Sequence, residues 1–309
     1  MQIIEDLARL TPSREVVLTI GVFDGVHLGH QHLLNRVIAV AREKKILSGV
    51  VTFYPHPRQV IYPDDKIPSL CTLDERMEIL KSLGIDLIAR LSFTPKLANM
   101  GARQFVSLVQ EHLRMRELIL GPDFALGKGR EGDTETLASI GREQGFGVQV
   151  APPLEMAGLV VSSTAIRRAL AEGDVVQAAY LLGRRVSLSG QVEAGAHRGK
   201  GLGFPTANLA VHPNLAVPAN GVYVTRAHLG SASYSSVTNI GNNPTFGAQP
   251  RTIEVHLLDF DADIYGQVMR LELLSRLREE KRFTTVDELV AQIRRDVDET
   301  RRILDQSKA

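Results

Sequence analysis

Up to about residue 183 the chain alternates between two hydrophobic patterns. Short apolar or β-branched runs at Val16–Val22, Gly49–Phe53, Leu87–Leu91, Leu118–Leu120 and Val148–Val150 read as buried strands. Between them, apolar residues recur at helical spacing near 30–44, 73–83, 102–113 and 134–144. The first of these helices carries Leu33, Leu34, Val37, Ile38 and Ala41 on one face, and the second opens on the capping box Thr72-Leu73-Asp74-Glu75. Strands separated by helices imply parallel crossovers and a doubly wound sheet, whose ligands sit beyond the carboxyl ends of the strands. A short helix ends at Leu181-Leu182-Gly183, glycine being a common residue just past a helix.

Beyond that glycine the period drops to two. Val186–Val192, Ala207–Ala210, Val222–Leu229, Ser235–Ile240, Ile253–Leu258 and Val268–Leu274 read as strands with Gly, Pro and Asn between them. This half is therefore an antiparallel barrel or sandwich. A last helix, from Val286 to about Leu304, presents Leu289, Ile293, Val297 and Ile303 as a covering face. The pattern divides the chain into residues 1–183 and 184–309.

Composition narrows the picture without redirecting it. The 309 residues are 44% hydrophobic and 23% charged, ordinary for a folded globular chain, and the net charge of +1 carries no electrostatic footprint for nucleic acid or a membrane surface. No apolar run approaches the ~20 residues that span a bilayer, and MQIIEDLARL lacks a signal-peptide core. The single cysteine, Cys71, excludes an internal disulfide framework and fits a reducing compartment. The expectation is a cytoplasmic enzyme.

The strongest candidate chemistry lies at residues 21–32, Gly-Val-Phe-Asp-Gly-Val-His-Leu-Gly-His-Gln-His, between the first strand and the first helix. Unpaired N–H groups and the helix dipole gather anions at such a turn and disfavour imidazolium, leaving His27 and His30 as neutral N–H donors to a phosphate. His56, in Thr52-Phe53-Tyr54-Pro55-His56-Pro57, and the loop Gly121–Arg130 also follow strand ends. Ser162-Ser163-Thr164-Ala165-Ile166-Arg167 opens a helix, where a hydroxyl can cap and a guanidinium can fork a phosphate.

In the second half, Arg198-Gly199-Lys200-Gly201-Leu202-Gly203-Phe204-Pro205-Thr206-Ala207-Asn208 is not a Walker A loop, because Ala194 and Gly201 stand where that motif needs Gly and Ser/Thr. Thr206 and Asn208 share one face by the period of two, and their oxygens suit a Mg²⁺ bridging nucleotide phosphates. A β-turn leading into a polar strand accounts for the segment equally well. Alternation alone places Glu254 and His256 on the outward face of their strand.

The segment GVFDGVHLGHQHLL resembles the HxGH nucleotidyltransferase signature and, over its full length, the opening of bacterial bifunctional riboflavin kinase/FAD synthetases. Further segments are similar to that family's motifs in order: GPDFALG (with Leu126 where phenylalanine is usual), SSTAIR, GLGFPTANL, Gly221-Val222-Tyr223, Asn239-Ile240-Gly241, Asn243-Pro244-Thr245-Phe246, Glu254–Phe260 and Leu277–Phe283, where Arg282 replaces a frequent lysine. The resemblance implies a Rossmann-like nucleotidyltransferase domain followed by an antiparallel β-barrel riboflavin kinase domain with a C-terminal helix. It implies that ATP first phosphorylates riboflavin to FMN and then adenylylates FMN to FAD. On this reading Gly21, Phe23, Asp24, Gly25, His27, His30, Asp123, Ser163, Thr164 and Arg167 bind ATP for adenylyl transfer. Gly199, Lys200, Gly201, Gly203, Pro205, Thr206, Asn208, Tyr223, Asn239 and Arg278 bind ATP or flavin for the kinase step. Thr206 and Asn208 hold Mg²⁺, Glu254 is the general base, and His27, His30 and Arg167 are the catalytic donors of adenylyl transfer. A flavin carrier with vestigial sites is the alternative from another class, and the intact Glu254, Thr206, Asn208, His27 and His30 argue against it.

Overall fold

The computed structural model describes residues 2–194, 198–242 and 251–306, without the side chains of Arg198 and Lys200. The chain falls into two compact units that part between Ser163 and Thr164.

The first unit is built on five parallel strands: β1 (Val16–Ile20), β2 (Leu47–Tyr54), β3 (Leu87–Ser92), β4 (Met115–Leu120) and β5 (Gly147–Val150), in the order β3-β2-β1-β4-β5. The longer helices between them in sequence are α1 (Leu28–Lys44), α2 (Leu73–Ser82), α3 (Ala102–Leu113) and α4 (Thr134–Gln144). All five residues of β1 are buried, the continuous apolar run that a strand covered on both faces requires. One cluster packs Leu18, Leu91, Leu118, Phe105 and Leu137 on one side of the sheet, while Val50, Leu34 and Leu80 form another. Cys71 is buried just before α2. Two hairpins of two-residue strands, Ala125–Leu126 with Gly132–Asp133 and Glu155–Met156 with Leu159–Val160, are too short to leave a periodic signature.

The second unit begins with α5 (Ser163–Glu172), whose first residue closes the first unit, and α6 (Val175–Leu182). Then come β6 (Val186–Glu193), β7 (Ala207–Val211), β8 (Gly221–Leu229), β9 (Ala232–Gly241), β10 (Thr252–Leu257) and β11 (Val268–Arg278). They close into an antiparallel barrel in the order β6-β7-β10-β9-β8-β11, so the barrel, not the sandwich, is realised. Inward positions alternate along each strand: Ile253, Val255 and Leu257 of β10 are buried, as are Leu271 and Leu273 of β11. Three hydroxyls also lie inside, and Thr225 Oγ1 meets Ser236 Oγ at 2.8 Å and Thr238 Oγ1 at 2.7 Å, so this buried polar group is internally satisfied.

The last helix, α7 (Val286–Gln306), covers an outer patch where Val297 packs with Val222, Val237, Leu258 and Leu277. Leu289, Ile293, Val297 and Ile303 are only half-buried, and the deepest positions of α7 are Asp296, Thr300 and Leu304. A carboxylate sits in this stripe because Arg278 of β11 meets it there.

Candidate active sites

Between β1 and α1 the backbone doubles back through Phe23 (φ 53°), Gly25 (φ 75°) and Val26 (φ 39°). Positive φ at a β-branched valine is costly and persists only where its surroundings fix it. The turn delivers His27 to the start of α1. There the His27 Nδ1 accepts the backbone N–H of His30 at 3.2 Å, an imidazole serving as helix cap. An accepting Nδ1 places the hydrogen of the neutral ring on Nε2. Gly29 is required beside it, since a Cβ there would stand 2.7 Å from the Val161 carbonyl oxygen.

The two imidazoles stack with centroids 3.6 Å apart, and Phe23 meets His30 edge-on at 5.2 Å. Burial, then the neighbouring His27 and Arg76, hold the His30 imidazole well below its ordinary value of 6.5. Its Nδ1 is buried and has no hydrogen-bond partner among the described residues. Two neutral rings at a dipole-positive helix start form a donor pair suited to phosphate oxygens.

Asp24 belongs to the same turn. Its carboxylate is turned inward, accepts the Leu70 N–H at 2.9 and 3.1 Å, and stands 3.9 Å from the Arg76 guanidinium. Both side chains are 3% exposed, so Asp24 buckles the turn from inside. Arg76 also donates to the carbonyls of Val22 (2.9 Å) and Phe53 (3.3 Å), tying together the carboxyl ends of β1 and β2. Sequence reasoning missed it, although a signal existed. Arg76 falls three residues after Leu73 and four before Leu80, in the apolar stripe of α2 where a charge needs a buried partner.

Ser163, the last residue of this unit, donates its Oγ–H to the Asp24 carbonyl at 3.2 Å. Thr164 is exposed at the next position, and Arg167 lies one turn further along the same helix, half-buried. Asp123 is exposed, and its carbonyl accepts from Arg130 at 3.0 Å. Leu126 and Phe124 both pack, partly buried, against the main core. His56 accepts the Arg58 N–H at 3.1 Å and caps the short helix Pro57–Ile61.

In the barrel, pairing registers decide what the sequence could not. Asn208 of β7 stands opposite Glu254 of β10, Glu254 opposite Asn239 of β9, Asn239 opposite Val222 of β8, and Val222 opposite Arg278 of β11. Residues directly opposite point to the same face, so this is one continuous row. Ile253 and Val255, the neighbours of Glu254, face the core, so the row lies on the outer surface. Glu254 is half-buried and its Oε1 accepts from Thr252 Oγ1 at 3.4 Å.

The glycine-rich segment closes on itself beside this row. Phe204 N–H donates to the Gly199 carbonyl at 2.8 Å, and a Cβ on Gly199 would meet the Phe204 carbonyl oxygen at 2.3 Å and Thr206 Oγ1 at 3.3 Å. Gly203 turns at φ 84°, while Gly201 and Pro205 are exposed. The Lys200 side chain and Asn243–Phe246 lie outside the described residues.

Tyr223 and Arg278, both expected at the kinase site, have partners within the protein. Tyr223 points into the barrel, wholly buried, and its hydroxyl donates to the Ala219 carbonyl at 2.5 Å, with burial raising its pKa. It is a core residue of the barrel. Arg278 gives Nε and Nη2 to Asp296 and Nη1 to the Glu279 carbonyl, so its guanidinium is spent on α7 and the adjoining backbone.

Comparison with known proteins supplies the context for both sites. Residues 10–165 match the FAD synthetase family model, and residues 182–304 match that of riboflavin kinase. The bifunctional riboflavin kinase/FMN adenylyltransferase of Escherichia coli (strain K12) is 38% identical over 301 residues, 96% of each chain. The chain belongs to the bifunctional riboflavin kinase/FMN adenylyltransferase family. A Bacillus subtilis (strain 168) member is 35% identical over 92% of this chain and 90% of its own. A crystal structure described as a macrolide-efflux protein from Streptococcus pneumoniae superposes with a TM-score of 0.88 at 30% identity, covering 97% of each chain. Among the described residues no helix is long and apolar enough to cross a membrane. As a member of this family the chain has a kinase and a nucleotidyltransferase activity, taking riboflavin to FMN and FMN to FAD.

Proposed function

We propose that the chain carries two MgATP sites, with adenylyl transfer assigned to residues 1–183 and riboflavin phosphorylation to residues 184–309. In the first, an FMN phosphate oxygen attacks the α-phosphorus of ATP and pyrophosphate leaves. No enzyme nucleophile is needed, so catalysis consists of positioning and charge stabilisation. His27 Nε2–H, the neutral His30 ring and Arg167 are the donors. Ser163, Thr164 and the backbone around Gly21, Phe23, Gly25 and Asp123 shape the nucleotide site, with Asp24 and Arg76 holding the turn from beneath.

In the second, Glu254 takes the proton of the riboflavin 5′-hydroxyl as that oxygen attacks the γ-phosphorus and ADP leaves. Such a base contributes typically ~10²–10⁴-fold. The observation that carries this reading is the register that sets Asn208 and Asn239 on either side of Glu254. Thr206 Oγ1 and the Asn208 amide oxygen would hold the Mg²⁺ that arrives with ATP, and that ion would neutralise charge on the phosphates. Hard oxygen donors fit it. Among the described residues there is no cluster of three or more His, Cys, Asp or Glu side chains of the kind that holds a metal without a nucleotide. Gly199, Lys200, Gly201 and Gly203 cover the phosphates. The partners are small molecules (riboflavin, FMN and ATP), without nucleic acid or membrane, and the compartment is the cytoplasm. The test is incubation of riboflavin with MgATP followed by chromatographic separation of the flavins. FMN and then FAD should appear, and the reading fails if neither forms.

A further inference from the structure

His256 is a polar residue of β10 for which the kinase chemistry above has no use. It stands two positions after Glu254, hence on the same outward face of the strand. Its Nδ1 lies 2.8 Å from the Pro205 carbonyl oxygen, and its ring meets Phe204 edge-on, with centroids 5.6 Å apart and an interplanar angle of 78°. A carbonyl oxygen can only accept, so Nδ1 carries the hydrogen.

The position of that carbonyl matters. Pro205 is the last residue before Thr206, and a proline has no N–H of its own to anchor the backbone. Upstream, among the described residues, the backbone hydrogen bonds of the loop run within the loop, from the N–H groups of Leu202 (3.1 Å) and Phe204 (2.8 Å) to the Gly199 carbonyl. Downstream, β7 is fixed to β10 by the pairs Ala207–Val255 and Asn208–Glu254. The His256–Pro205 bond therefore fastens the closed loop to the strand that bears the base, one residue before Thr206.

We propose that His256 is a positioning residue for the kinase nucleotide, holding Thr206 and the glycine-rich turn in the geometry that receives MgATP. This rests on the assignment of Thr206 and Asn208 to that nucleotide. His256 touches neither the hydroxyl nor the phosphorus in this account. It therefore governs the binding of MgATP and not the proton transfer.

The test uses the full chain and follows both reactions by flavin chromatography at varied MgATP. His256→Phe keeps a ring against Phe204 and removes the donor. The kinase KM for MgATP should rise about tenfold, the scale of one lost positioning hydrogen bond, with kcat within about twofold and adenylyl transfer unchanged. His256→Asn places an amide N–H where Nδ1 stood and should bring KM back to within about threefold of the parent. Parent-like KM in His256→Phe overturns the proposal. So does equal impairment of the Phe and Asn variants, or a loss confined to kcat. Should His256→Phe fail to fold, His256→Leu makes the same comparison against Asn. A parent chain that makes no FMN would instead overturn the underlying assignment of the site.

Discussion

The Nδ1 of His27 accepts the backbone N–H of His30 at 3.2 Å while the two rings stack 3.6 Å apart. A single contact thus caps α1, fixes the His27 tautomer and sets the rings where protonating both would bring two cations together. That arrangement, with burial, keeps His30 neutral.

Its first consequence is a pH dependence of stability. The unfolded chain takes up a proton at His30 near its ordinary value of 6.5, whereas the folded imidazole does so only at lower pH. Between those values the unfolded state binds more protons, so stability rises with pH across the window and is lost as pH falls below about 6.5. His30→Gln removes this contribution. Denaturant midpoints measured from pH 7.5 down to 5 should fall less steeply for the variant than for the parent. Identical slopes would mean that His30 is not the linked group.

Arg278 and Asp296 make the second prediction. Their side chains are 17% and 8% exposed and share three short contacts of 2.7–3.1 Å, with Gln292 donating to the same carboxylate at 2.8 Å. Removing one partner leaves a largely buried charge without its counterion, which costs roughly 3 kcal/mol. Asp296→Ala should therefore lower the unfolding midpoint and depress FMN formation more than FAD formation. The double variant Arg278→Met with Asp296→Leu should recover much of the loss. An Asp296→Ala midpoint equal to the parent's would show that α7 is held without this pair.

Third, Asn208 should tolerate acid better than hydrocarbon. Asn208→Asp retains an oxygen ligand and adds charge, whereas Asn208→Leu removes the ligand. FMN formation should fall far more in the Leu variant, and FMN-to-FAD conversion should be unaffected in both. Parent-like FMN formation by Asn208→Leu would exclude Asn208 from the metal site.

The strands and helices were legible because their cues are local: the continuous apolar run of β1, the capping box at Thr72, the alternation along β10. The histidine turn was legible for the same reason, being one contiguous motif. What the sequence hid is non-local. Asn208 and Glu254 are far apart in the chain, and only the barrel's strand order makes them neighbours. Tyr223 follows a motif glycine yet faces inward, because one-residue parity decides the side of a strand and the exact strand start is not readable from composition. The pairing of Asp24 with Arg76 was hidden for the same reason, since the two come from different elements.

The central claim is that two separate sites work on one chain, and paired single substitutions test it most directly. Glu254→Ala and His30→Ala are each assayed for riboflavin-to-FMN and FMN-to-FAD conversion, with folding checked by circular dichroism. Glu254→Ala should lose most FMN formation, on the order of 10²-fold or more, and keep FAD formation from added FMN. His30→Ala should do the reverse. A folded variant of either kind that lost both activities together would contradict the two-site account.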